Sequence, residues 1–156
     1  RNVSEQGYAR MNITGGCFCE KVRYDVSESP LTQFVCHCNG CLNRTGLYTG
    51  ILFVPKRACV IAGACDVYRT EGGSGSDVET WRCSCCGALV GLWASVVPEM
   101  WLVAASSLDD AEQFNPEFHN WVSSKPSWIG IDDELPQFEQ SVDWEKLGGR
   151  PNFGMA

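Results

Sequence analysis

The sequence predicts a mainly β fold: a small single domain of antiparallel sheets organised around two zinc sites. Three observations carry this. No long stretch repeats its apolar residues with the 3.6 period of a helix. Short runs rich in β-branched and aromatic residues recur between glycine and proline breaks. Most of the ten cysteines fall in close pairs at metal-ligand spacing.

Residues 1–11 are polar and unpatterned, and read as an N-terminal arm. The domain is expected over 12–140. After Gly15-Gly16, Val22, Tyr24 and Val26 alternate with Lys21, Arg23 and Asp25, the pattern of a half-buried strand. Pro30 marks a break, and Gln33-Phe34-Val35 leads as a strand into a cysteine-rich stretch. Leu47 to Val54 is apolar and stops at Pro55. Cys59–Gly63 and Cys65–Arg69 read as two further short strands, and Glu71 to Asp77 as a Gly/Ser loop. A cysteine knuckle at 83–87 precedes a strand over 89–93, and Trp101–Ala105 is another. Leu108 to Phe114 is expected to make one helical turn. Phe118–Val122 and Trp128–Ile131 close the domain, and 141–156 is expected to be a C-terminal tail.

Composition narrows the function. Hydrophobic residues make up 44% of the 156, enough for a core. The formal net charge of -7 gives no basic excess to neutralise phosphates, which disfavours nucleic acid as a partner. The acids lean towards the C-terminus and read as a solvated face. No stretch has the roughly 18 to 20 apolar residues of a membrane span. Nor is a secretory leader expected, since no basic start followed by an apolar run is read in these residues. With cysteines too close in sequence for relaxed disulfides, a reducing cytoplasm with bound zinc is the expectation.

Cys36-His37-Cys38-Asn39-Gly40-Cys41 places three thiols within six residues. A tetrahedral zinc holds thiolates at about 2.3 Å, so neighbouring sulfurs sit roughly 3.8 Å apart. Cys36 and Cys38 meet that demand from an extended segment, whose alternate side chains share a face. Cys38 and Cys41 meet it in one tight turn. Alternation turns His37 away, whereas His119, distant in sequence, stays open as a fourth ligand. Three protein ligands with an open position is the catalytic pattern; four is the structural one.

Cys17, Cys19, Cys83 and Cys86 make a complete second set. Cys85 competes with Cys86, but Gly87 permits the positive φ of a knuckle after Cys86, and Cys85 is then expected to point away. Cys59 and Cys65 lack metal spacing and read as small buried hydrophobes. Arg44 and Lys21 are the cations nearest in sequence to offset thiolate charge at the three-cysteine site. Trp121 and Trp128 either line a pocket or pack in the core.

Gly15-Gly16-Cys17-x-Cys19, Cys36-His37-Cys38-x-x-Cys41-x-x-x-Thr45-Gly46 and Cys83-x-x-Cys86-Gly87 stand in order. Ser107-Leu108-Asp109-Asp110 and His119-x-Trp121-x-x-Ser124-x-x-x-Trp128 follow. Together, from about Gly15 to Phe138, they resemble the glutathione-dependent formaldehyde-activating enzyme family, which includes centromere protein V. The resemblance implies structural zinc at Cys17, Cys19, Cys83 and Cys86, and catalytic zinc at Cys36, Cys38 and Cys41. It also implies carbon–sulfur lyase chemistry on a thiol such as glutathione. Glu20, Arg82 and Ser106 depart from the family's common residues without removing a ligand. Arg44, Thr45 and Gly46 are the expected substrate-side residues: a cation to offset charge, and a Thr-Gly pair to shape the wall. Two rival readings stand beside this one. The first is a zinc Lewis-acid enzyme of small-molecule metabolism. The second is a non-enzymatic zinc module that binds a protein.

Overall fold

The computed structural model describes residues 12–154, so the expected arm at 1–11 lies outside the described residues. Among these residues ten strands form two sheets. The small sheet has order β1-β2-β5, from β1 (Ile13–Gly16), β2 (Arg23–Val26) and β5 (Cys59–Ala62). The large sheet has order β10-β3-β4-β9-β8-β7-β6. Its strands are β3 (Thr32–Cys36), β4 (Thr49–Pro55), β6 (Cys65–Glu71), β7 (Asp77–Cys83), β8 (Leu89–Ala94), β9 (Met100–Ala104) and β10 (Phe118–Asn120). Among the described residues one α-helix, α1, spans Asn39–Thr45.

The expectation of antiparallel pairing holds except at one edge, where β10 runs parallel to β3. β1 also went unread, because Ile13-Thr14-Gly15-Gly16 offers too short an alternation to detect. The expected turn at 108–114 is a three-residue 3-10 turn, Ala111–Gln113.

The large sheet is the middle layer. Strand alternation sends Ile51 and Phe53 of β4 into one cluster, and Leu52 and Val54 into another. β9 does the same with Leu102 on one side and Trp101 and Val103 on the other. A strand buried on both faces reads as a continuous apolar run, as Ile51–Val54 does. Each such side chain contributes about 1.5 to 3 kcal/mol when fully buried.

The small sheet covers one face through Ile13, Val22, Tyr24 and Val26. Buried Tyr24 donates to Ser107 Oγ (2.8 Å), whose own proton goes to the Ala104 carbonyl (2.7 Å). Gly15 has to be glycine here: a Cβ would lie 2.2 Å from the Ser107 carbonyl oxygen and 2.3 Å from the Tyr24 hydroxyl.

The opposite face is covered by the C-terminal segment, read from sequence as a tail. Trp144 meets Phe118 edge-on, and buried Phe153 meets both Phe53 and Trp144. Aromatic residues spaced widely in polar chain carry no periodicity, so their common destination was invisible. Trp128, read as pocket or core, is 69% exposed. Among the described residues, no helix is long and apolar enough to cross a membrane.

Candidate metal centre

The seven cysteines singled out by spacing converge into two groups. The sulfurs of Cys17, Cys19, Cys83 and Cys86 lie within 4.8 Å of one another, as do those of Cys36, Cys38 and Cys41. In the first group, Cys17 to Cys19 is 3.5 Å and Cys19 to Cys83 is 3.7 Å. These separations far exceed a disulfide's roughly 2.05 Å and suit sulfurs sharing one tetrahedral zinc. All ten cysteines are free thiols. Both groups therefore fit a zinc ion by donor chemistry and spacing.

The four-cysteine group joins the loop between β1 and β2 to the turn between β7 and β8. The Val22 N–H donates to Cys17 Sγ (3.2 Å) and the Cys85 N–H to Cys83 Sγ (3.4 Å). Backbone N–H groups aimed at sulfur stabilise thiolate. Backbone donors at Ala88 and Cys19 lower the Cys86 thiol to about 6. Gly87 has φ +72, the knuckle conformation expected after Cys86. Cys85 points away and accepts from Lys21 Nζ at 3.2 Å. Lys21 thus sits beside the four-cysteine group, not the three-cysteine one, because β2 begins on that side of the sheet. Cys59 and Cys65 are half-buried; burial pushes the Cys59 thiol up to about 12.

The three-cysteine group lies on the other face, packed with Phe34, Ile51 and Phe53. Cys36 ends β3, Cys38 caps α1, and Cys41 sits in its first turn. The expected tight turn is thus the start of a helix: the Cys41 N–H donates to Cys38 Sγ (3.4 Å), as to any N-cap side chain. The neighbouring thiols of Cys36 and Cys41, and the backbone N–H groups of Cys41 and Gly40, donate to Cys38 and hold its pKa far down. The same contact pushes Cys36 well up. Three thiols this close favour loss of a proton from at least one of them, and a divalent cation would take the place of the remaining protons.

Arg44 Nη1 reaches Cys41 Sγ (3.6 Å), and its Nε donates to buried Thr80 Oγ1 (2.8 Å). Arg44 is therefore where a cation opposing thiolate charge was expected. Thr45 and Gly46 are not. Thr45 Oγ1 donates to the Cys41 and Tyr48 carbonyls at the helix end, and Gly46 (φ +85) is the helix C-cap, with its N–H on the Leu42 carbonyl. Gly46 has nothing near its missing Cβ, and neither residue lines the cavity beside the cysteines. Helix-ending chemistry, not close approach, accounts for Thr45-Gly46.

That cavity has a volume of about 380 Å³. Its wall includes Cys36, Cys38, Cys41, Arg44, Asn120 and Trp121, and its rim the Gly/Ser hairpin loop at 72–76. Such a volume suits a small-molecule ligand. A separate cavity of about 290 Å³ lies among Trp81, Trp93 and Trp101, between the two sheets.

His119, left open as a fourth ligand, is engaged elsewhere. Its Nδ1 meets His37 Nε2 (2.9 Å) and its Nε2 meets Asp133 (2.9 Å). The His119 contact draws the Asp133 carboxyl below its usual range. Burial, then the neighbouring His119, lowers His37 to about 4, so it is a neutral imidazole. This His37–His119–Asp133 chain and Asn120 were not found by sequence reasoning. Both depend on the parallel pairing of β10 with β3, which leaves no local signal.

Two clusters of free thiols on a mixed β scaffold, one a complete set of four and one opening on a cavity, define a thiol-rich domain whose cysteine groups could hold metal ions. The family described as glutathione-dependent formaldehyde-activating enzyme matches residues 12–124. The chain belongs to that family, whose description points to formaldehyde-activating, thiol-related chemistry. A solved Rhodobacter sphaeroides protein, a Northeast Structural Genomics target, is similar over 80% of this chain and 98% of its own, at 21% identity and a TM-score of 0.49. No curated protein matches the chain.

Proposed function

We propose that the chain is a zinc enzyme of carbon–sulfur lyase type, joining a small thiol to formaldehyde or cleaving the product. The thiol is glutathione or a relative of it. The observation that carries this reading is the unequal pair of clusters. Four thiols make a complete coordination set, while three face a cavity of about 380 Å³.

Cys17, Cys19, Cys83 and Cys86 would hold a structural zinc, and Cys36, Cys38 and Cys41 a catalytic one. A zinc held by Cys36, Cys38 and Cys41 would supply Lewis acidity that lowers the pKa of a substrate thiol towards neutral. In the synthetic direction a new C–S bond forms as the carbonyl π bond breaks, and the proton released by sulfur ends on the former carbonyl oxygen. Arg44 offsets the negative charge that accumulates at the thiolates, held in place by Thr80. Trp121 and the 72–76 loop line the cavity. With ten free thiols, the chain works in a reducing compartment such as the cytoplasm.

The test is product analysis by NMR, with isotopically labelled formaldehyde and glutathione. Adduct formation faster than the spontaneous rate, abolished in Cys38→Ser, supports the reading. Equal rates with and without the protein would overturn it. Conversion of the aldehyde without any thiol would favour the Lewis-acid rival.

A further inference from the structure

β6 carries a thiol that belongs to neither metal cluster. In the β6–β7 ladder, Cys65 stands directly opposite Cys83, one of the four clustered cysteines. The Ser84 N–H donates to the Ala64 carbonyl (3.0 Å), and at the far end the Gly72 N–H donates to the Ser76 carbonyl (2.7 Å). Hydrogen-bonded and non-hydrogen-bonded pairs alternate along an antiparallel ladder, so Cys65–Cys83 is a non-hydrogen-bonded pair. In such a pair the Cα atoms approach to about 4.5 Å and the side chains lie close. Arg69 and Glu79, a pair of the same kind on the same face, meet at 3.1 Å.

A disulfide spans Cα separations of about 4.4 to 6.8 Å, so the pair can close without moving either strand. Both cysteines belong to the cluster between the sheets that also holds Cys17; Cys83 is buried in it and Cys65 is half-buried at its margin. Cys59, by contrast, stands opposite Val26 and has no thiol to meet.

We propose that Cys65 and Cys83 form a reversible disulfide when the protein meets a hydroperoxide, and that this bond withdraws Cys83 from the four-cysteine set. Cys65, the more exposed member, loses its proton and attacks the peroxide. The O–O bond breaks, one water leaves, and Cys65 becomes a sulfenic acid. The Cys83 sulfur then displaces that oxygen as a second water and forms the S–S bond. Two thiols have thus passed two electrons and two protons to hydrogen peroxide. Cys17, Cys19 and Cys86 remain, one short of a tetrahedral set, and hold a metal less tightly. The Cα spacing lies at the short end of the disulfide range, so small thiols reduce the bond readily and restore the set. The loss of metal rests on the structural zinc proposed above; the pairing rests on the strand register.

The test uses the whole chain, reduced and zinc-loaded. It is treated with hydrogen peroxide while a chromogenic chelator follows released metal; the remaining thiols are then alkylated and the digest is mapped by mass spectrometry. A peptide linking Cys65 to Cys83, removed by dithiothreitol, should accumulate in step with zinc release. Cys65→Ala removes none of the clustered thiols, so it should load with zinc as the wild type does, form no such peptide and release metal several-fold more slowly. Cys65→Ser carries the same comparison if the alanine variant does not fold. The three-cysteine site contributes equally to release in both proteins. Cys83 recovered in a disulfide with Cys86 or Cys19 while Cys65 stays alkylated, or equal release from wild type and variant, would overturn the inference. Alkylation of the reduced protein separates the two levels. If zinc gives Cys17 and Cys86 no protection, the structural-zinc reading falls, and the mapped disulfide still decides the pairing.

Discussion

Arg82 donates from Nη2 to the backbone carbonyl of Arg44 at 2.6 Å, while its Nη1 reaches the Gly87 carbonyl at 3.0 Å. One guanidinium thus bridges the four-cysteine knuckle and the end of the helix that carries Cys41. From sequence, Arg82 was only a departure from a commonly aromatic position.

Arg82→Ala should cost roughly 1 to 2 kcal/mol, since two charge-assisted bonds are lost from a half-exposed site. It should also speed metal release from Cys36, Cys38 and Cys41, measured with a chromogenic chelator. Arg82→Lys should restore little, because an ammonium lacks the planar fork that spans both carbonyls. Unchanged release kinetics in Arg82→Ala would show that the bridge is not mechanically used.

The two cysteine sets should respond differently to loss of one ligand. Cys19 and Cys83 are 64 residues apart, whereas Cys36 to Cys41 is local. Closing the longer loop costs about 2 kcal/mol more in chain entropy, so a metal tie across it stabilises the fold more. Cys17→Ser or Cys86→Ser should lower Tm substantially. Cys38→Ser or Cys41→Ser should reduce activity more than Tm. Equal losses of Tm in all four variants would contradict the division into structural and catalytic sites.

Asp109 ties the small sheet to the chain after β9. Arg23 Nη1 donates to it at 2.9 Å and Thr14 Oγ1 at 2.7 Å. The Arg23 bond, then the Thr14 bond, lowers the carboxyl below its usual range. A depressed carboxyl contributes stability that is present above its unfolded value, about 4, and lost as pH falls through the folded value. The pair is partly exposed, so the contribution is below about 1 kcal/mol. Asp109→Asn should therefore lower the denaturation midpoint slightly at neutral pH, and the gap should close below about pH 4. A gap that widens in acid would show that the carboxylate is not the stabilising form.

The elements read correctly were those whose signal is local. Ile51–Val54, the alternation at Val22–Val26 and the C-x-x-C spacings each hold their information within a few residues. Gly87 even separated Cys86 from Cys85. What escaped needs distant partners. Asn120 gains its meaning only from lying beside Cys36, and Phe153 and Trp144 only from meeting Phe53 and Phe118. Helix α1 escaped because its Asn-Gly-Cys start lacks helical propensity; the Cys38 cap and the Gly46 stop define it instead. The helix-ending role of Thr45 and Gly46 escaped for the same reason, since a turn-forming pair beside a metal motif looks like a loop until the helix is seen.

If the three-cysteine site serves a thiol substrate, it takes that substrate as thiolate. Calorimetry tests it most directly: zinc-loaded protein is titrated with glutathione and with S-methylglutathione, in buffers of different ionisation enthalpy. Glutathione should bind more tightly, release a proton on binding, lose affinity in acid, and bind more weakly in Arg44→Ala and at high salt. Equal affinity for the two ligands with no proton released would contradict it.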